Sequence, residues 1–382
     1  MAVRVCYLSS VLNVHDQRFL SQLVARGYDT HLVTYRVGAI PEPITRIAGL
    51  SIVHREPSRF PRLQKYLFAF KQRDFRRVLA TLRPDILHSG YVWKDGFLAA
   101  LSGFRPHLSM PWGSDILIQA QQWGICRAIT RYALRSADMI TCDCEEVADR
   151  IVELVGYPRD RIVLFPWGVE LQRFSPSARP SPLREALGWE GCTVLLMNRT
   201  FAPIYDVPAL IAALPAIVRR DPDVRVLLVG SGPQERRIRT LVERTGLQEF
   251  VHFCGWVALE DMPNYLRAAD LYVSTSRSDG SSLSLIEAMA CGLPVVVTDV
   301  PANLEWVDHG HNGLVVRRGD PAALVKAISS LTEDLDLRRR MGERNVRIAR
   351  ERADWDKNFG KLETMYRTLM AEVRLASSQV EA

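Results

Sequence analysis

Short apolar runs rich in valine and leucine alternate with helix-forming segments through both halves of the chain. Runs such as Val194–Leu196 and Val295–Val297 are continuously apolar, which is typical of strands buried on both faces of a parallel sheet. Parallel strands need a crossover between them, so this alternation predicts βαβ units and an α/β fold. The predicted strands are Val3–Leu8, Thr30–Tyr35, Asp85–His88, His107–Met110, Met139–Cys142, Arg161–Phe165, Thr193–Met197, Val224–Val229, Val251–Cys254, Leu271–Ser274, Pro294–Thr298 and Gly313–Val316.

A segment rich in serine and proline separates the two halves. Residues 175–182 read SPSARPSP, and proline cannot donate the hydrogen bonds of a central strand. At 382 residues the chain is also longer than one ordinary core. We predict two Rossmann-like domains, over residues 1–174 and 186–382, joined by a linker over 175–185, with parallel sheets that face each other across a cleft. The terminal helix, at about residues 355–375, is expected to pack back towards the first domain.

The sequence favours a cytoplasmic location. No run approaches the roughly 18 apolar residues of a membrane-spanning helix. The N-terminal segment Met1–Leu8 carries Arg4 inside its apolar stretch, so we predict a first strand there rather than a signal peptide.

The cysteines predict neither disulfides nor a metal site. Seven of them are scattered along the chain, which is typical of reduced, buried thiols. Cys142 and Cys144 form the one close pair, and a single intervening residue with no second pair elsewhere is poor zinc spacing. No Asp-x-Asp pair stands at the end of a predicted strand. We therefore expect no metal and no other cofactor.

The net charge of +6 belongs to the first half of the chain. Residues 1–175 hold 23 lysines and arginines against 16 acids, and residues 176–382 hold 26 against 27. The excess is concentrated in residues 59–83, where eight basic residues and several aromatic rings accompany one acid, Asp74. A basic helix with aromatic rings over these residues would suit an anionic membrane surface. The alternatives are an ordinary solvated surface helix and a surface that binds nucleic acid. No recognised nucleic-acid-binding module accompanies the basic stretch.

Residues 274–294, STSRSDGSSLSLIEAMACGLP, form the most informative segment. They predict a strand end, a polar loop and a short helix that Ser281 or Ser282 caps and Gly292 ends. Unpaired amides at the start of such a helix can hold a phosphate. Glu287 lies about one turn inside, where its carboxylate can accept two hydrogen bonds from a vicinal diol such as a ribose. Asp279 precedes the loop, and solvated surface charges are the alternative for both acids.

This segment resembles the acidic pair, spaced by seven residues, of the retaining GT-B glycosyltransferases in the large glycogen-synthase-like family four. The resemblance covers essentially the whole chain, most strongly about residues 190–320, and implies a GT-B fold. Further segments that resemble landmarks of that family are Gly230–Pro233, Val251–Val257, Gly292–Val296, Asn303–Trp306 and Gly310–Gly313.

The resemblance implies that Glu287 binds the ribose of a nucleotide sugar and that Asp279, where the family more often has Glu, lies near the donor hexose. Arg199 would contact the diphosphate and complete the catalytic set. The family's usual lysine a few residues later is absent, and Tyr205 stands at about its position. A structural role is the alternative for Arg199 and for Arg277. The implied donor-binding residues are Gly230, Gly232, Trp256, Val257, Arg277, Gly280, Ser281, Ser282 and Leu283.

Loops after three strands of the first half supply candidates for the acceptor side. His15 and Asp16 follow the first strand, although Asp16 could instead cap a helix. His88 ends another strand and is either functional or a structural histidine. Trp112 stands where the family usually has a histidine. The role of the imidazole side chain cannot be carried over to Trp112, but a backbone or stacking role can. The acceptor-side candidates are His15, Asp16, His88, Trp112, Gly113 and Asp115.

The resemblance implies transfer of a hexosyl group from a UDP- or GDP-hexose to an acceptor hydroxyl, with retention of the anomeric configuration. The acceptor is either lipid-linked, which would place the enzyme at the inner face of the cell membrane in glycan or glycolipid synthesis, or a soluble small molecule. A nucleotide-sugar epimerase on the same fold and an inactive binding protein are the rival functions. Epimerases of this fold lack the acidic pair in the sequence context found here. The presence of both Asp279 and Glu287 argues against an inactive binding protein.

Overall fold

The computed structural model describes residues 2–55, 68–122, 124–177 and 181–380. The chain divides into two compact units, of which unit 1 comprises Met1–Phe165 with Gly360–Ala382 and unit 2 comprises Pro166–Phe359. The predicted boundary at 174/175 therefore differs from the structure. Val169 and Phe174 already pack in the core of unit 2, and the Val169 amide donates to the Ala353 carbonyl at 2.8 Å. The predicted linker lies within unit 2, and its residues 178–180 lie outside the described residues.

Within the described residues, unit 1 contains a sheet of seven parallel strands. The strands are β1 (Arg4–Leu8), β2 (Asp29–Thr34), β3 (Ser51–His54), β4 (Ile86–Ser89), β5 (His107–Ser109), β6 (Met139–Cys142) and β7 (Ile162–Leu164). Their order is β3-β2-β1-β4-β5-β6-β7. The direction of progression reverses between β1 and β4, so the loops after these strands open at a topological switch point.

Unit 2 contains a second parallel sheet, of six strands among the described residues. The strands are β8 (Thr193–Asn198), β9 (Val224–Val229), β10 (Val251–Gly255), β11 (Leu271–Ser274), β12 (Val295–Thr298) and β13 (Gly313–Val316). Their order is β10-β9-β8-β11-β12-β13, with the switch point between β8 and β11.

Helices cover the sheets. They are α1 (Val14–Ala25), α2 (Glu42–Thr45), α3 (Phe68–Leu82), α4 (Phe97–Ser102), α5 (Ala120–Gln122), α6 (Gly124–Arg135), α7 (Glu145–Val155), α8 (Pro182–Leu187), α9 (Val207–Arg220), α10 (Glu235–Arg244), α11 (Met262–Ala268), α12 (Leu283–Ala290), α13 (Pro301–Leu304), α14 (Pro321–Glu333), α15 (Leu335–Arg352) and α16 (Trp355–Val380). Short π-helical turns span Val92–Gly96 and Asp115–Gln119, and 3₁₀ turns span Arg159–Arg161, Pro203–Tyr205 and Gln248–Phe250.

Both faces of the unit 2 sheet are buried, as the continuously apolar strands predict. In β8, Leu195 and Met197 pack into one hydrophobic cluster with α9 and α14. Val194 and Leu196 point to the opposite face and join a second cluster with α12. Because alternate residues of a strand face opposite sides, each side of β8 needs its own apolar set.

The last helix, α16, begins in unit 2 and ends in unit 1. Its part in unit 1 buries Leu362, Tyr366 and Leu369 completely. The Tyr366 hydroxyl lies 2.6 Å from Nδ1 of His88, so this segment forms part of the unit 1 core.

The basic stretch 59–83 is described from residue 68 onwards, and residues 59–67 lie outside the described residues. Phe75 in α3 is fully buried in the unit 1 core, so this ring is not at the surface, where membrane binding would require it. The exposed face of α3 carries Arg73, Arg76 and Arg77. Among the described residues no helix combines the length and apolar character needed to cross a membrane.

Candidate active site

The predicted donor residues of unit 2 gather at the switch point of its sheet. Arg199 directly follows β8, and the loop 275–282 follows the neighbouring strand β11. Ligands of open parallel sheets bind beyond the carboxyl ends of the strands at such a point. Two segments far apart in sequence are therefore brought together by strand order.

The guanidinium group of Arg199 lies at the centre of this cluster. Its Nη1 donates to the hydroxyl oxygens of Ser282 at 2.9 Å and Ser284 at 2.8 Å. Its Nη2 forms an ion pair with Asp279 and a hydrogen bond of 3.4 Å to Ser276. The side chains of Arg199 and Asp279 are 9% and 13% exposed. A guanidinium this deeply buried needs such partners, because desolvation of an unpaired charge is costly.

A ring and an unused donor complete the surroundings of Arg199. The guanidinium carbon stands 4.1 Å from the ring centre of Tyr205, within the range of a cation–π contact. Nε of Arg199 is buried and has no hydrogen-bond acceptor among the described residues. This N–H group is therefore left without a hydrogen bond among the described residues.

Helix α12 begins beside Arg199. Ser282 caps it, and its hydroxyl accepts from the Leu285 amide at 3.4 Å. Trp306 Nε1 donates to the Ser281 hydroxyl at 2.8 Å, which fixes the loop before the cap. Because the first amides of a helix have no acceptor within it, this end of α12 favours an anion. Gly280, Ser281, Ser282 and Leu283 are thus placed around one helix start.

Glu287 lies on α12 one turn after its start and is buried. Nδ2 of Asn198, the last residue of β8, lies 3.5 Å from Oε2 of Glu287. The structure therefore places the second acid on the same side of the sheet edge as Arg199. The sequence analysis does not single out Asn198, because nothing in the sequence relates it to Glu287.

Gly230 and Gly232 permit a close approach of backbones behind Arg199. A Cβ on Gly230 would lie 2.3 Å from the carbonyl oxygen of Arg199, and one on Gly232 would lie 2.8 Å from the Phe201 amide nitrogen. The Phe201 amide also donates to the Ser231 carbonyl at 2.9 Å. These glycines shape the loop that carries Arg199. Trp256, which follows β10, is 77% exposed, and Val257 is half-buried.

Arg277 has a partner other than the one expected of a donor-binding residue. Its Nε and Nη2 both lie 2.8 Å from Oδ2 of Asp206, and its side chain is 67% exposed. In the structure, this ion pair ties two loops of unit 2 together, and the predicted contact of Arg277 with the donor stays a prediction.

The acceptor-side candidates of unit 1 fall into two groups, of which the first contains His15 and Trp112. Their rings meet edge to face with centroids 5.6 Å apart, and both residues are half-buried. Gly113 adopts φ 82°, a left-handed conformation that favours glycine. These residues follow β1 and β5, at the carboxyl edge of the sheet.

The second group is buried and structural, which corrects the prediction for its members. His88 is fully buried in contact with Tyr366, and burial lowers its pKa to about 3. Asp16 caps α1 together with Asn13. Asp115 accepts hydrogen bonds from the amides of Val92 at 2.8 Å and Trp112 at 2.9 Å.

A third buried carboxylate, Asp95, was not predicted. It accepts from the Ser10 amide at 2.9 Å and the Ser10 hydroxyl at 2.5 Å. Asp16, Asp95 and Asp115 tie down the loops that follow β1, β4 and β5, and burial raises the pKa of each to about 6. In the sequence, these three residues share one feature: each is an aspartate in a segment that follows a predicted strand.

No group of three or more histidines, cysteines and acids that could hold a metal ion occurs among the described residues. At the unit 2 site, positive charge comes from Arg199 and from the start of α12.

Two family models match the chain, one in each half. Residues 12–173 match a model for Glycosyltransferase Family 4, and residues 192–334 match a model for Glycosyl transferases group 1. Among curated relatives, D-inositol 3-phosphate glycosyltransferase of Nocardia farcinica is 28% identical over 360 residues, which is 88% of this chain and 80% of the relative. Mannosylfructose-phosphate synthase of Agrobacterium fabrum is 33% identical over 190 residues, which is 47% of this chain and 42% of the relative.

Solved structures share the fold over almost the whole chain. Sucrose-phosphate synthase from Thermosynechococcus elongatus matches with a TM-score of 0.82 and 22% identity, covering 97% of this chain and 100% of that one. Anabaena HepE in complex with UDP and glucose matches with a TM-score of 0.80 and 21% identity, covering 96% and 100%. Two parallel sheets, family models in both halves and these neighbours agree, and the chain belongs to the group 1, family 4 glycosyltransferases with the GT-B fold.

Proposed function

We propose that this glycosyltransferase moves a hexosyl group from a nucleoside diphosphate sugar to an acceptor hydroxyl, with retention of the anomeric configuration. The observation that carries the proposal is the placement of buried Arg199 against the start of α12, one turn before Glu287. Structural neighbours in complex with UDP and with UDP-glucose support a donor of this class.

Each part of the donor has a chemical match in unit 2. The diphosphate contacts Arg199 and the first amides of α12, because both offer N–H donors and positive charge. The ribose diol donates to the carboxylate of Glu287. The exposed ring of Trp256 and the backbone at Val257 are available to the base. Asp279 lies next to the diphosphate on the Arg199 guanidinium, where it reaches the donor hexose.

Retention follows from attack on the face that the diphosphate leaves. The acceptor oxygen bonds to the anomeric carbon while the bond from that carbon to the diphosphate breaks, and a diphosphate oxygen accepts the proton of the acceptor hydroxyl. What the protein supplies is stabilisation of charge growing on the leaving group, which preorganised donors provide at low cost. No divalent metal is needed for this step, and we expect activity to survive EDTA.

His15 and Trp112 are the residues that we propose to bind the acceptor. The imidazole and indole rings meet edge to face with their centroids 5.6 Å apart, and aromatic faces with nearby polar groups suit sugar or polyol surfaces. Asp16, His88 and Asp115 act by holding this region in place rather than by touching the acceptor.

A donor panel tests the reaction. Purified protein is incubated with UDP-, GDP- and ADP-hexoses, without acceptor, and products are followed by mass spectrometry. We expect slow hydrolysis of one donor with release of free hexose and nucleoside diphosphate. An altered hexose still attached to its nucleotide would favour the epimerase, and no turnover or binding of any donor would overturn the proposal.

We further propose that unit 1 binds an anionic membrane surface, which would place the enzyme at the cytoplasmic face of the membrane and favour a lipid-linked acceptor. Helix α4 packs against both α3 and α6, so these helices form one continuous layer. Ile125 and Tyr132 of α6 are 70% and 47% exposed beside its arginines. The exposed arginines of the layer are Arg73, Arg76, Arg77, Arg127, Arg131 and Arg135.

Vesicle sedimentation tests the membrane proposal. Arg76 and Arg131 also bond carbonyl oxygens within unit 1, so we choose Arg73→Gln, Arg77→Gln and Arg127→Gln. The matched control replaces three exposed arginines of unit 2. Each surface charge contributes about 1 kcal/mol, so the unit 1 variant should lose most binding to phosphatidylserine vesicles and the control should lose little. Equal losses, or equal binding to neutral vesicles, would remove the case for a membrane. The control substitutions are Arg236→Gln, Arg237→Gln and Arg340→Gln.

A further inference from the structure

Arg199 is held from two different directions. The hydroxyls of Ser282 and Ser284 and the carboxylate of Asp279 contact its N–H groups. The ring of Tyr205 instead contacts the guanidinium with a separation of 4.1 Å between the guanidinium carbon and the ring centre. Contact through the π-face uses no N–H donor, because the donors of a guanidinium lie in its plane. The ring can therefore hold Arg199 without occupying any of its N–H donors.

The backbone that carries Tyr205 is fastened to the segment after β11. Thr275 Oγ1 lies 3.1 Å from the carbonyl oxygen of Tyr205 and 2.9 Å from that of Asp206. The Arg277 amide donates to the Ile204 carbonyl at 2.8 Å. These bonds join the Tyr205 loop to the loop that carries Asp279.

Asp206 adds an ion pair to this connection and has an uncommon backbone conformation. It adopts φ 45° and ψ 41°, in the left-handed region that side chains other than glycine, asparagine and aspartate rarely enter. Its carboxylate is held by Nε and Nη2 of Arg277, both at 2.8 Å. The ion pair stabilises an uncommon backbone conformation immediately after Tyr205, and so fixes the direction in which the ring leaves the chain.

We propose that Tyr205 is the positioning residue of Arg199: its ring orients the guanidinium towards the donor diphosphate, and the Asp206–Arg277 pair locks the ring in place. This inference rests on the proposed function, because it takes the diphosphate as the ligand of Arg199. It gives Arg277 a role at the donor site without any contact with the donor. It also gives the ring a role that needs no hydroxyl group.

Substitutions of Tyr205 test the proposal by calorimetric titration with UDP, GDP and ADP and by the rate of donor hydrolysis. Cation–π contacts contribute about 0.5–2 kcal/mol, so Tyr205→Leu should weaken nucleoside diphosphate binding about 3- to 30-fold and lower kcat further. Tyr205→Phe keeps the ring and should remain within about twofold of the parent protein in both measurements. Loss in the Phe variant equal to that in the Leu variant would overturn the proposal.

A double-mutant cycle separates positioning from a general loss of structure. In the Arg199→Gln background, Tyr205→Leu should cause no further loss of binding or rate, because the group it positions is gone. An equal loss in both backgrounds would mean that Tyr205 supports the fold alone, and would overturn the inference while leaving the donor proposal standing. A parent protein that binds none of the three nucleotides would instead overturn the proposed function and this inference with it.

Discussion

Asp279→Asn and Glu287→Gln remove the same unit of negative charge from one site, and we predict opposite effects on nucleoside diphosphate binding. Asp279 is paired with Arg199, the group proposed to bind the diphosphate. The incoming ligand must therefore share Arg199 with a carboxylate. Glu287 lies one turn inside α12, with its Oε2 at 3.5 Å from Nδ2 of Asn198, and its negative charge is proposed to hold the ribose.

The magnitudes follow from these contacts. A carboxylate and a phosphate oxygen on one guanidinium lie about 4–6 Å apart, where two unit charges repel by about 3–4 kcal/mol at an effective dielectric constant of about 20. Partial exposure and salt reduce this to about 1–2 kcal/mol, so Asp279→Asn should bind about 5- to 30-fold more tightly. Glu287→Gln loses a charge-assisted hydrogen bond of about 1.5–3 kcal/mol, or about 10- to 150-fold.

Calorimetric titration with the preferred nucleoside diphosphate measures both changes, with thermal unfolding as the control for folding. Donor hydrolysis should fall in both variants, because tighter product binding in Asp279→Asn does not help the transition state. Weaker binding in a folded Asp279→Asn protein would refute the argument, since Asp279 would then be a ligand of the nucleotide rather than a competitor for Arg199.

Two further predictions concern other groups. Arg199→Ala should lower kcat more than it raises KM, because charge on the diphosphate grows as the glycosidic bond breaks; a raised KM with unchanged kcat would limit Arg199 to ground-state binding. His88 has its pKa lowered to about 3 by burial, below its unfolded value of about 6.5, so its contribution to stability is complete above pH 6.5 and is lost as the pH falls. Between pH 7 and 5 this loss amounts to about 2 kcal/mol. His88→Gln, which still offers an acceptor to Tyr366, should narrow its stability gap to the parent by that amount in urea unfolding, and a constant gap would contradict the low pKa.

The sheet strands were predictable because burial on both faces leaves a strong signal. All twelve predicted strands occur, with ends that differ by a residue or two, as in Ile86–Ser89 for the predicted Asp85–His88. The strand that the sequence did not reveal is Ser51–His54, which lies at the edge of its sheet. Its residues are exposed or half-buried, so nothing requires them to be continuously apolar.

The sequence predicted which segments form the site better than it predicted which side chains pair with each other there. Motif and chain order brought Arg199, Asp279 and Glu287 to one sheet edge, because parallel topology fixes which loops become neighbours. The ion pair between Arg277 and Asp206 depends on a left-handed residue with no glycine to signal it. The burial of His88 depends on a helix about 280 residues later in the chain, which no local pattern indicates.

The passage of α16 from unit 2 into unit 1 makes unit 1 discontinuous in sequence and unit 2 continuous. On a ribosome, domains fold as units in the order in which their residues emerge. Residues 2–165 emerge first, yet the Tyr366 that closes over His88 is synthesised only after all of unit 2. Synthesis of unit 1 therefore begins before that of unit 2 and is completed after it. Until then its core at His88 stays open, so unit 1 is exposed to proteases and to aggregation for longer than unit 2.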